Sequence, residues 1–557
     1  MPWHHAILTA PCAALLLLGC TQDASDQPSP PTPGERVAFV GIQADLGSLN
    51  QHFARSALDA IVSEPLSLFL FSSHFEGGRL VYSSGLAQRW SLSQDGRELE
   101  LQLRPDSTWH DGQPVRAQDV AFTFGLLADP QVGSRLVGGA SQIEPGGVSV
   151  IDEHSLRLRY TQPMRLDQVQ SQLGGVVILP EHLLAGTPAE ELRGHGFNRA
   201  PVLNGCWQLD AWEPGTQIGL TARPWGEGPG ACAPRIDRVV FRIIPEYATR
   251  LLELREGRLD IVADVRVQDL ATLPPEQAEL TFHRRGPRSL VYVGWNQQAR
   301  AGDEPHPLLG DPRVRRALAQ AVDIDAIMRD LFYDPATGET YAEPAVGAIN
   351  PALAGMSGKG ITPIGHDPAS ARTTLAAMGW RDSDGDGVLD RDGVAFRFEL
   401  LTQASAASRA QAGVYVQADL AKIGVAVDIT TVERATWMDR AQRGEFDALL
   451  GGWSASLYVD PTPIWHSGPD AQWNWIGYAN PEVDALIERG MTAGTPEVAV
   501  STWQALQATV YQDQPYLFLY WADEIVAVSR RLEGVSVGIE APWYGLEGWH
   551  LAQDGGS

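Results

Sequence analysis

VAFRFELL (394–401), VYVQADLAKIG (414–424), VAVDIT (425–430) and FDALLGGW (446–453) decide the fold class of this chain. Val394, Phe396, Phe398 and Leu400 alternate with other residues, the period of a strand with one buried face. Val416, Leu420 and Ile423 follow the helical period and stop at Gly424, a C-terminal helix signal. Val425, Val427 and Ile429 make a second strand; a helix near Trp437 leads to the apolar run Phe446 to Leu450. Strands that alternate with helices predict an α/β lobe with a largely parallel sheet. Sheets of that kind bind ligands beyond the carboxyl ends of their strands, which places Gly451-Gly452-Trp453 at a candidate site.

Upstream, Asp367-Pro368 and Asp311-Pro312 are helix starts, each with an N-cap and Pro at the first helical position. The N-terminal half has a different texture. Trp90 and Leu92 lead into the turn Asp95-Gly96, after which Leu99, Leu101 and Leu103 alternate with polar residues. Val148 and Val150, then Leu156, Leu158 and Tyr160, repeat the hairpin pattern, and Ala117 to Leu127 reads as a helix between them. Two halves of unlike construction predict two lobes, and clefts between lobes are the usual small-molecule sites.

The chain has 557 residues and a formal net charge of −26, a balance that argues against nucleic acid or an anionic membrane surface as partner. Ala6 to Leu18 is apolar and too short to span about 30 Å of hydrocarbon, but it fits a signal-peptide core. Leu17-Leu18-Gly19-Cys20 resembles a bacterial lipobox, in which the cysteine is acylated, and the Pro-rich stretch 21–35 reads as a tether. Cys12 leaves with the signal and Cys20 takes the lipid. Cys206 and Cys232 remain, and in an oxidising compartment they are expected to pair; two free buried thiols are the alternative.

No His-Glu-x-x-His, Gly-x-Ser-x-Gly, P-loop or Rossmann glycine pattern occurs, which argues against a secreted hydrolase or other enzyme. Asp382, Asp384 and Asp386 occupy the first three odd positions of an EF-hand-like loop with Gly387 at the turn. Gly393 stands where the bidentate Glu belongs, so the stretch reads either as a tight acidic turn or as a weak calcium site. No other cofactor is expected.

Taken in order, several stretches resemble the peptide- and nickel-binding solute-binding proteins of bacterial ABC transporters, family 5. They are Ser84 to Trp90, Leu103-Arg104-Pro105, Trp109-His110-Asp111-Gly112-Gln113-Pro114-Val115, Ala117 to Val120, and Leu254 to Ile261. Trp295-Asn296, Asp311 to Leu318, Leu420 to Gly424, Phe446-Asp447, Trp453, Tyr478 to Asp484 and Pro515 to Tyr520 continue the resemblance. It implies an α/β, two-lobed periplasmic-binding-protein fold (type II-like) with an extra subdomain in the first lobe. The expected division is a signal over 1–20, the tether over 21–35, a first lobe over 36–288 with the extra β-rich subdomain at about 70–195, a second lobe over 289–511, and a return to the first lobe over 512–557. It also implies that His110-Asp111-Gly112 is a structural turn.

The expected function is an extracytoplasmic lipoprotein, anchored at the cell envelope, that hands a small ligand to an ABC permease. In peptide-binding members an Asp three residues past the Trp pairs with the ligand's α-ammonium; here that position is Ser456, and Asp460 is the nearest substitute. Trp453, Tyr458, Trp465, Trp473 and Trp475 crowd the same region and suit either peptide side chains or sugar rings. The candidate ligand contacts are Trp453, Ser456, Asn296, Tyr458, Asp460 and Trp475. Peptide is the leading ligand class and oligosaccharide the second, with a ligand-presenting sensor as another reading.

Overall fold

The computed structural model describes residues 34–226, 232–273, 280–299 and 304–552, less 357, 359, 405, 406, 455 and 470. The signal, the Cys20 lipobox and almost all of the tether lie outside the described residues. One mixed sheet runs through the molecule. Its strands are β1 (Val37–Ile42), β2 (Trp207–Glu213), β3 (Gln217–Ala222), β4 (Arg238–Ile243), β5 (Ile261–Val265), β6 (Leu280–Trp295), β7 (Arg397–Gln403), β8 (Ala426–Val432), β9 (Ala448–Ser454) and β10 (Tyr516–Ser529). Their spatial order is β8-β7-β9-β6-β10-β5-β1-β4-β3-β2, and a short strand, Ala342–Pro344, also pairs with β10.

The second lobe keeps the predicted strand–helix alternation, and β8, β7 and β9 are parallel. The sheet as a whole is less parallel than the alternation implies. β6 and β10 are long and antiparallel, and they run between the lobes as a two-stranded ribbon. A ribbon that must leave one lobe and return to it has opposed strands. Both β5 and β1 run toward the second lobe, and β9 runs toward the first. The carboxyl ends of both half-sheets therefore face each other across the ribbon.

Local signals hold where they were strong. Asp311 caps the Pro312–Ala321 helix by accepting from the Arg313 N–H at 2.8 Å, and Asp367 does the same for Ser370 at 2.9 Å. Trp90 pairs with Leu101 and Leu92 with Leu99, as the Asp95-Gly96 turn requires. Gly96 sits at φ 70°, and a Cβ there would meet the Met164 carbonyl oxygen at 2.6 Å, so only glycine fits. The Glu98–Leu103 strand continues through Ser155–Tyr160 to Ile143–Val150, closing a separate four-stranded sheet covered by the Ala117–Ala128 helix. Its core (Leu99, Leu101, Phe124, Leu156, Leu158) is continuous with that of the first lobe.

Cys206 and Cys232 form the expected disulfide, with Cα atoms 5.8 Å apart. It ties the entry to β2 to the segment that leads into β4. His110 accepts from the Leu203 N–H at 3.2 Å through Nδ1 and lies 3.3 Å from the Gly205 carbonyl through Nε2, so in His110-Asp111-Gly112 the imidazole turns inward while Asp111 and Gly112 stay exposed. Burial pushes this imidazole down to about 4, which keeps it neutral.

Candidate functional site

Between the facing sheet ends lies a cavity of about 880 Å³. Strand register decides what lines it. β6 pairs with β9 as Val291 with Gly452 and Ser289 with Ser454, and with β10 as Val291 with Tyr520 and Ser289 with Ala522. Directly paired residues share a face of a sheet, so Ser289, Val291, Gly452, Ser454, Tyr520 and Ala522 form one floor, and all six line the cavity. Leu290 pairs with Trp453 and Trp521, which puts those two side chains on the opposite face. Trp453 borders the cavity, but its indole belongs to the other side.

The cavity walls carry charge of both signs. The end of β5 contributes Asp264 and the segment after it Arg266 and Asp269; the ribbon contributes Arg285, Arg288, Asp523 and Glu524; the Ala407–Ala421 helix contributes Arg409 and Gln411. Most of these charges hold one another. Arg285 pairs with Glu524, and Arg284 clasps Asp523, whose side chain is 3% exposed. Arg288 donates to the Ile539 carbonyl at 3.0 Å, and desolvation pushes its guanidinium down to about 10. Glu64 faces the same region from the first lobe, where burial, opposed by Arg288, pushes its carboxyl up to about 7.

Two groups differ. Arg409 has no hydrogen bond or ion pair among the described residues, and its guanidinium is lowered by desolvation with no carboxylate opposing that. It lies where a Cβ on Gly452 would meet its Nη1 at 2.9 Å, at the carboxyl end of β9. It stands in the first turn of a 15-residue helix, whose amino end also favours an anion. Among the described residues, Asp264 is one of three non-glycine residues with positive φ, at 60°, and its only ion pair is a 3.3 Å contact with Arg250. Desolvation by the cavity walls pushes the Asp264 carboxyl up to about 6, with Arg250 and Arg266 opposing and Glu524 adding to the rise.

The opposite face of the ribbon is aromatic. Tyr292 stacks on Tyr516 with ring centroids 3.7 Å apart, and Trp453 lies parallel to Tyr292 at 6.1 Å. Trp473 and Trp475 flank Trp453 at 5.7 and 5.4 Å, and Trp475 meets Trp437 edge-on. The Trp453 Nε1–H donates to the Tyr516 hydroxyl at 3.4 Å. Trp473 keeps 43% of its surface exposed.

The sequence-derived candidates separate accordingly. Trp453 and Trp475 lie on the aromatic face. Tyr458 lines a different, smaller cavity of about 240 Å³, with Tyr82, Arg165, Gln168 and Trp503. Burial, with Asp460 nearby, pushes its hydroxyl up to about 12. Ser456 accepts from the Tyr458 N–H at 3.0 Å, and Asp460 accepts from the Thr462 N–H at 3.0 Å; neither lines the large cavity. Asn296 is buried in the second lobe. Its amide nitrogen donates to the Gly444 and Phe446 carbonyls, and its oxygen accepts from the Gln298 N–H, so it is a structural residue. Asp264 and Arg409, which line the cavity, are not among those candidates, although the sheet-end rule that pointed to Trp453 applies equally to β5 and to the helix after β7.

Asp382, Asp384 and Asp386 bring carboxylate oxygens within 4.8 Å of one another on the surface. Asp382 accepts from the Gly385 and Gly387 N–H groups and Asp386 from that of Val388, the bonds of an acidic turn. Among the described residues no helix is long and apolar enough to cross a membrane.

Comparison with known proteins agrees with this architecture. The family model described as bacterial extracellular solute-binding proteins, family 5 Middle, matches residues 81–475. The chain is 27% identical over 475 residues to the oligopeptide-binding protein AppA of Bacillus subtilis, covering 84% of this chain and 83% of that one. The structure of that protein in complex with a nonapeptide superposes with a TM-score of 0.78 at 25% identity, covering 93% of this chain and 100% of the other. NikZ from Campylobacter jejuni, in complex with Ni(L-His), shares the fold with a TM-score of 0.76 at 21% identity, over 92% of this chain and 99% of its own. These relatives are binding proteins, not enzymes. The chain belongs to the bacterial extracellular solute-binding proteins of family 5.

Proposed function

We propose that this chain is a lipid-anchored peptide-binding protein that closes its two lobes over a ligand and delivers it to an ABC permease. The observation that carries the reading is Arg409: a desolvated cation with no carboxylate beside it, in an interlobe cavity where Asp523 and Glu524 are held by arginines. Keeping such a cation desolvated is unfavourable unless an anion joins it, and a peptide's terminal carboxylate is the simplest one that fits a cleft this size. The similarity to an oligopeptide-binding protein supports the same class. A first lobe over 36–288 and 512–557 and a second over 289–511 cross at β6 and just ahead of β10; Tyr516 to Trp521 pack with the second lobe, so we read the hinge at the middles of β6 and β10, which floor the cavity. Acylation at Cys20 and a tether over 21–35 would hold the protein at the membrane within reach of its permease.

Mass spectrometry of small molecules released by denaturing the purified protein tests this, with thermal shifts against peptide and oligosaccharide panels. Co-purified peptides, or stabilisation by peptides alone, are expected. An oligosaccharide is the second reading, favoured by the Trp453, Trp473 and Trp475 cluster. Stabilisation by oligosaccharides alone would select it.

A further inference from the structure

Neither Ser456 nor Asp460 lines the cavity, and Asp460 is engaged with its own helix start. The cavity offers four other acids. Asp523 and Glu524 are clasped by Arg284 and Arg285, and Asp269 accepts from the Tyr247 hydroxyl at 2.8 Å. Asp264 remains. Its side chain is 49% exposed toward the cleft and makes one 3.3 Å contact with Arg250. The other terminal nitrogen of Arg250 donates to the Ile244 and Pro245 carbonyls, so this guanidinium is fixed by its own lobe. Glu524 and Arg266 also interact with Asp264, in opposite senses, so the carboxylate is not neutralised from one side alone. The left-handed backbone at Asp264 is a conformation that a β-carbon resists; it aims the carboxylate out of β5 at the point where the strand ends.

We infer that Asp264 receives the ligand's ammonium group, so that a bound peptide lies with its amino end on the first lobe and its carboxylate at Arg409 on the second. This rests on the peptide reading above. Each terminus then holds one lobe, and the ligand itself joins the two across the hinge. Length follows from the ribbon. β10 runs from Ile525, the partner of Val265, to Tyr520, which interacts with Arg409. That stretch rises about 17 Å at the strand repeat, the reach of an extended peptide of about five residues.

The test uses random pentapeptide pools in three forms: free, N-acetylated and C-amidated. Retention by the wild-type protein, Asp264→Asn, Asp264→Gly and Arg409→Gln is quantified by native mass spectrometry. Asn and Gly both tolerate the left-handed backbone, so two variants guard against a failure of folding in either. The wild type is expected to prefer the free pool over the acetylated one by about tenfold, the value of one charge-assisted contact. In both Asp264 variants that preference should vanish, while the acetylated pool binds as it does to the wild type. In Arg409→Gln the preference against the amidated pool should vanish instead. Persistence of the wild-type preference for free amino termini in the Asp264 variants overturns the assignment, as does equal loss of all three pools in both. Retention of no pool by the wild type overturns the peptide reading itself, and the assignment falls with it.

Discussion

The two faces of the β6–β10 ribbon are made from alternate residues of the same strands, yet they differ in every respect that matters for function. One face presents Ser289, Val291, Gly452, Tyr520 and Ala522 to a charged cavity. The other presents Tyr292, Trp453 and Trp521 to a packed aromatic cluster. The period-two geometry of a strand allows this division, with β6 and β10 shifting register between Val291 and Tyr292. It also fixes the register, because a one-residue slip would bury the polar set and expose the aromatic one. The aromatic face packs the hinge strands together, and the other face is the one proposed to meet the ligand.

The comparison is broken most forcefully on the aromatic side. Trp465 is buried and packs on Tyr516 at 4.7 Å and Tyr478 at 5.8 Å. Trp465→Ala should destabilise by about 3–5 kcal/mol, read from denaturant unfolding, while the folded fraction keeps its ligand affinity. Loss of binding at full stability would show that the aromatic face is itself the binding face. Away from the ribbon, replacing Cys206 and Cys232 by Ser opens a loop of sequence separation 26. It should cost about 3 kcal/mol of stability in the chain-entropy model, again without a change in affinity. On the polar side the effect reverses in kind. Arg409→Gln should weaken ligand binding by about tenfold, measured by calorimetry, and leave thermal stability equal or raised, because the cation it removes is desolvated and unpaired. The smallest effect is expected at Ser456. Its hydroxyl closes a local turn to Tyr458, so Ser456→Ala should bind the ligand like the wild type in the same titration.

The fold was legible where residues repeat with a period or cap an end. Alternation at Phe396, Phe398 and Leu400 found β7, and Asp311-Pro312 and Asp367-Pro368 found helix starts that cap as expected. The antiparallel ribbon was not legible. β6 is apolar on both faces at its second-lobe end, from Leu290 to Val293, so alternation does not reveal which side faces the cleft. That sidedness comes from pairing with β9 and β10, partners remote in sequence. The same physics explains the candidate residues. Trp453 was found because it ends a recognisable strand, but its direction depends on register. Asn296 stands at the crossing into the second lobe, and its amide serves three backbone groups there. Asp264 and Arg409 become neighbours of one cavity only when the half-sheets face each other, which no local pattern encodes.

A crystal structure of the protein with a bound pentapeptide tests the division between the faces most directly. The ligand is predicted to lie over Ser289, Val291, Tyr520 and Ala522, with its carboxylate on the Arg409 guanidinium. A ligand seated on the opposite face, against Trp453 and Trp473 and away from Arg409, would contradict the account.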